Sequence, residues 1–115
     1  MSDINEVQLF LNDLSAKISI WGIVYRDDRS KNAQTLLDLE LLPNERTEII
    51  KSLKVYDYSE GPNKELLYGG SDMWIFGKHV KDKEIYIKIT LGIFNSNTIC
   101  ISFHIAEYQM IYPHK

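Results

Sequence analysis

The sequence predicts an α+β fold in which N-terminal helices and a short strand pack on a C-terminal antiparallel sheet. Two observations carry that prediction. Apolar residues recur at three- and four-residue spacing in the first half of the chain, whereas from Met73 onwards they alternate with polar residues in three separate runs. Helices gathered first and strands last form segregated layers, unlike the regular βαβ alternation of a parallel sheet.

Val7, Phe10, Leu11, Leu14 and Ile18 make one helical stripe over residues 3–18, and Asp3 with Glu6 three positions on is a capping pair at its start. The segment from Ile20 to Tyr25 is β-branched and aromatic, interrupted by Gly22 and too short for a second helix, so it reads as a short strand. Ser30 is placed to cap a helix whose inner side is Ala33, Leu36, Leu37 and Leu41; Pro43 opens another that buries Ile49, Ile50 and Leu53. No period holds from Val55 to Ser71, where Gly61-Pro62 and Gly69-Gly70 punctuate a stretch bearing Tyr56, Tyr58 and Tyr68, and a long loop is predicted. Strands follow at Met73–Val80, Glu84–Leu91 and Thr98–His104, joined by turns at Lys81-Asp82-Lys83 and Asn95-Ser96-Asn97 into an antiparallel meander. The whole of 1–115 is expected to be one domain.

With 115 residues, 44% of them hydrophobic, the chain can bury a core without a disulfide or structural metal. Cys100 is the sole cysteine and the three histidines are scattered, so no zinc site and no cofactor are expected. The net charge of −3 argues against a grip on nucleic acid through overall charge; any such contact must be local. No apolar run approaches the roughly 20 residues of a membrane span, and no basic-then-apolar leader begins the chain, which predicts a cytoplasmic protein without membrane contact.

Alternation sorts the strand side chains onto two faces. Ile85, Ile87, Ile89 and Leu91 share one, and Tyr86, Lys88 and Thr90 the other. In the last strand Ile99, Ile101 and Phe103 are expected in the core, with Thr98, Cys100, Ser102 and His104 on the polar side; Trp74 and Phe76 are likewise core, leaving Ile75, Gly77 and His79 beside Tyr86. Pairing core to core sets Tyr86 opposite Ser102 or His104. A phenol, an ammonium and an imidazole thus gather on one face. That trio suits metal-free phosphodiester cleavage: one group takes the ribose 2′-hydroxyl proton, another protonates the leaving oxygen, and a cation steadies the phosphate. Solvated polar faces are also the ordinary state of antiparallel sheets and need no such purpose. Cys100 lies four residues from His104 on the same strand, roughly 13 Å away, and reads as a packing residue rather than a nucleophile. Arg26, Arg29, Lys78, His79 and Lys81 are candidate contacts to RNA phosphates, although lysines at a turn usually serve solubility.

The pair Ile85-Tyr86-Ile87-Lys88-Ile89-Thr90 and Ile101-Ser102-Phe103-His104 resembles the paired terminal strands of MqsR-type toxins of bacterial type II toxin–antitoxin systems. Upstream, Asp57-Tyr58-Ser59-Glu60-Gly61-Pro62 and Met73-Trp74-Ile75-Phe76-Gly77-Lys78 agree in order with that family, and the resemblance spans about residues 20–104. It implies a RelE-like fold and a sequence-selective, metal-independent endoribonuclease that cleaves messenger RNA, inhibits translation and arrests growth. A cognate antitoxin, encoded by an adjacent gene, would bind and silence it. The family's catalytic tyrosine falls on Tyr86 and its basic residue after the Ser-Phe pair on His104, whereas its glutamine falls on Ile75 and its loop lysine near Ser59 or Glu60. Catalysis is accordingly expected from Tyr86, Lys88 and His104. A reading from another class is a non-catalytic RelE-like module that binds a protein partner through the tyrosine-rich stretch 56–68.

Overall fold

The computed structural model describes residues 1–64 and 71–115. Its elements are α1 (Ile4–Trp21), β1 (Ile23–Tyr25), α2 (Ser30–Asp38), α3 (Pro43–Lys51), a 3₁₀ turn (Val55–Asp57), β2 (Tyr58–Asn63), β3 (Met73–Val80), β4 (Lys83–Thr90) and β5 (Thr98–Ile105). The strands form one sheet in the order β1-β5-β4-β3-β2. β1 runs parallel to β5, and the other neighbours are antiparallel, so the predicted α+β class and meander are both present. Among the described residues no helix is long and apolar enough to cross a membrane.

α1 begins with a reciprocal capping box: the Asp3 carboxylate accepts from the Glu6 backbone at 2.8 Å and the Glu6 carboxylate from the Asp3 backbone at 3.1 Å. Its whole predicted stripe is buried. Phe10 stacks on Trp74 with ring centroids 4.5 Å apart and lies 5.9 Å from Phe76, which docks the helix on β3. Ile85, Ile87 and Ile89 are fully buried on the same face. Each such side chain contributes about 1.5–3 kcal/mol on burial, so this layer dominates the core.

α2 departs from its expected apolar face. Leu37 is 72% exposed and Ala33 and Leu36 are half-buried, while Asn32 and Thr35 are buried. The cause lies at the sheet edge. β1 pairs with β5 over Thr98–Cys100, and beyond it no strand among the described residues bonds the outward backbone groups of β5. The Asn32 amide donates to the Ile101 carbonyl at 3.0 Å and accepts from the Phe103 N–H at 3.1 Å, and the Thr35 hydroxyl accepts from the Ile105 N–H at 3.3 Å. Polar helix side chains thus continue the ladder that β1 leaves off. Ser30 is the first helical residue and Arg29 holds the cap position, without a side-chain cap bond.

α3 buries Ile50 as predicted and Arg46 as well. The Arg46 guanidinium bonds the Asp27 carboxylate at 2.7 and 3.0 Å and lies 3.5 Å over the Tyr25 ring, so pairing and stacking admit a charge that burial alone would exclude.

The stretch expected to be a loop contains β2, the edge strand opposite β1. Tyr58 faces Phe76, Glu60 faces Ile75 and Asn63 faces Met73, so β2 carries one extra residue in each interval. β5 is interrupted in the same way: Lys88 faces Ser102 but Ile89 faces Cys100, leaving Ile101 as the extra residue. A bulge reverses alternation beyond it. Cys100 therefore lies in the core and not on the polar face with Ser102 and His104, while Ile99 leaves the predicted core face to oppose Thr90.

Candidate functional site

Strand register writes two rows of residues across the sheet. Glu60, Ile75, Lys88 and Ser102 face one another on successive strands from β2 to β5, and Gly77, Tyr86 and His104 form the next row. Except for Gly77, these residues line a cleft of about 1160 Å³, which Arg29 and Lys31 at the start of α2 and the tail after β5 complete. That volume exceeds the roughly 300–1,000 Å³ of small-molecule pockets, leaving room for a polymer segment.

The predicted trio converges here. The rings of Tyr86 and His104 stack with centroids 5.2 Å apart and 15° between planes, and the Lys88 ammonium lies 5.8 Å from the Tyr86 ring centroid. Burial pushes the Tyr86 phenol up, reinforced by the Glu60 charge and opposed by Arg29. The phenol therefore keeps its proton at neutral pH and acts as a donor. Burial pulls the Lys88 ammonium down, as does Arg29, while Glu60 pulls the other way. His104 Nδ1 lies 3.0 Å from the Ile105 carbonyl; a carbonyl only accepts, so Nδ1 is the donor and Nε2 is left to exchange a proton. Arg29 is aimed from outside the sheet, its Nη1 donating at 3.3 Å to the Ile101 carbonyl and at 3.4 Å to Ser102 Oγ. Lys31 is engaged by Glu107.

The tail wall has no counterpart in the predicted elements. It is fastened through Glu84, whose carboxylate accepts from the Met110 N–H at 3.1 Å and from the Tyr112 hydroxyl at 2.7 Å. Ser59 Oγ donates to the Ile111 carbonyl at 2.8 Å, and His114 stacks on Tyr58 with centroids 5.3 Å apart. Gly77 lets the tail close: a Cβ there would stand 2.1 Å from the Tyr112 hydroxyl. The sequence signal was a glycine inside a regular strand, which marks close approach of another segment.

The other candidate phosphate contacts stand elsewhere. Lys78 pairs with Asp57 at 3.2 Å, His79 is exposed in register with Glu84, and Lys81 donates to the Leu39 carbonyl at 2.7 Å. Arg26 bonds Asp28 at 2.8 and 3.0 Å outside the cleft. Of these candidates only Arg29 lines it. The tyrosine-rich interface is also reduced, since Tyr58 is fully buried; Tyr56 is exposed, and Tyr68 lies outside the described residues. Cys100 sits on the opposite face from His104, with its thiol pushed up to about 12 by burial, so the two form no nucleophile pair. In the sequence Glu60 stands only near the position of the family's loop lysine; β2 brings it into the cleft. No family model, curated protein or solved structure matches the chain.

Proposed function

We propose that this protein is a metal-independent endoribonuclease acting on messenger RNA, and that it serves in the cytoplasm as the RelE-like toxin of a type II toxin–antitoxin pair. The observation that carries the reading is the stacked Tyr86–His104 pair beside Lys88 and Arg29 in one open cleft. His104 supplies an imidazole whose Nε2 can pass a proton, Tyr86 a protonated phenol, and Lys88 with Arg29 the positive charge for a phosphate gaining negative charge. Cations localised at the cleft of a chain whose net charge is −3 favour a short RNA segment over long-range capture of nucleic acid. The toxin role and the antitoxin partner rest on the resemblance to MqsR-type toxins in the sequence.

Purified protein is incubated with a defined messenger RNA in excess EDTA, and the new ends are analysed. The expected products carry a 2′,3′-cyclic phosphate upstream and a 5′-hydroxyl downstream. Products with 5′-phosphates, or cleavage abolished by EDTA, overturn this mechanism. Expression of the chain alone should arrest growth, and co-expression of the adjacent reading frame should restore it.

A further inference from the structure

We infer that Glu60 is the general base of this site, taking the 2′-hydroxyl proton while His104 donates to the leaving oxygen; the inference rests on the ribonuclease reading. Cyclising cleavage needs two proton-transfer groups on opposite sides of the phosphorus, because the attacking and leaving oxygens lie in line. Tyr86 and His104 are stacked face to face and approach a phosphate from one side. The opposite side of the cleft is formed by β2, where the register sets Glu60 across Ile75 from Lys88. Three strand spacings, roughly 14 Å across the sheet, and one row, roughly 7 Å along it, separate the backbones of Glu60 and His104, which leaves a phosphodiester room between the two side chains.

Glu60 is exposed, and its carboxylate makes no hydrogen bond or ion pair among the described residues. It acts instead on the groups of the cleft, raising the Tyr86 phenol and opposing the fall of Lys88. An unfastened carboxylate across Ile75 from Lys88 is available as a base and is not committed to holding the fold. The Glu60 carboxylate takes the 2′ proton, the 2′ oxygen forms a bond to phosphorus, and the bond from phosphorus to the 5′ oxygen breaks. The departing oxygen takes the proton from the His104 imidazolium, giving a cyclic phosphate and a 5′-hydroxyl.

The test uses two RNAs, one ordinary and one in which sulfur replaces the bridging 5′ oxygen at the cleaved bond. A thiolate leaves without a proton, so the sulfur RNA bypasses the general acid and not the general base. Glu60→Gln should lower kcat about 10²- to 10³-fold on both RNAs, with unchanged or tighter binding of an uncleavable 2′-deoxy analogue. His104→Ala should lose about as much on ordinary RNA and regain most of it on the sulfur RNA. Full activity of Glu60→Gln, or its rescue by sulfur, overturns the base assignment while leaving a His104-dependent ribonuclease in place. A parent protein that cuts neither RNA overturns the ribonuclease reading and the role of Glu60 with it.

Discussion

The central strands β3 and β4 pair through eight consecutive positions without a slip, whereas the strands flanking them, β2 and β5, each break register against their neighbour. The regular pair builds the core. Strict alternation sends Phe76, Ile85, Ile87 and Ile89 to the α1 side and leaves Tyr86 and Lys88 on the other. The broken strands aim the remaining cleft side chains. Tyr58 and Glu60 stand two residues apart, yet the extra residue between them buries one and turns the other to the cleft. On β5 the extra Ile101 sends Cys100 inward and leaves Ser102 and His104 facing Lys88 and Tyr86. A bulge is thus the means by which a sheet places neighbouring side chains that alternation would put elsewhere.

The largest expected effect comes from attacking the regular pair. Phe76 is fully buried and touches the α1 layer through Phe10. Phe76→Ala should cost about 3–5 kcal/mol from lost burial and the cavity left behind. Urea unfolding followed by circular dichroism would read it as a fall in midpoint at unchanged slope. A loss below about 1 kcal/mol would mean that the core does not rest on these central strands.

A smaller effect separates the observed β5 from the strand that unbroken alternation predicts. On the polar face Cys100→Ser would be nearly neutral. In the core the new hydroxyl is desolvated, with the Ser102 carbonyl, to which the thiol now donates at 3.3 Å, as an acceptor. A loss of about 1–3 kcal/mol is expected, measured by the same unfolding curve. A neutral outcome would favour the unbroken register.

The parts of the molecule legible in its sequence are those governed by one local rule. The α1 stripe and its capping box follow from helical spacing, and the β3–β4 faces follow from a period of two. What escaped depends on the chain's other segments. Asn32 and Thr35 are buried because β1 stops short, a fact of tertiary topology that no helical pattern contains. Arg46 is buried because Asp27 and Tyr25 wait for it. Ile101 is indistinguishable in composition from a regular strand residue, so parity misassigned Cys100 while placing Ser102 and His104 correctly. The cleft was legible in Tyr86, Lys88, His104 and Arg29, whose faces or positions survive the bulges. Glu60 and the tail wall were not, since β2 reads as punctuation and the tail carries no period.

The smallest expected effect on stability carries the sharpest test of function. His104 is half-buried at the cleft, held by a stack on Tyr86 and one bond to a neighbouring carbonyl, and lies outside the core. His104→Ala should therefore cost about 0.5–1.5 kcal/mol, the scale of an aromatic pair, and leave the circular dichroism spectrum of the parent. If His104 moves a proton, RNA cleavage should nonetheless fall about 10²- to 10⁴-fold and growth arrest should disappear. The two measurements pull apart what packing and chemistry each contribute. A packing residue would lower activity only as far as it lowers the folded fraction, and a loss of this size leaves a protein of ordinary stability almost wholly folded. Tyr86→Phe keeps the stack and removes only the hydroxyl, so a strong loss there as well would assign the effect to the polar groups of the pair. A folded His104→Ala protein that arrests growth as the parent does would remove the catalytic role of the cleft and favour the protein-binding module in its place.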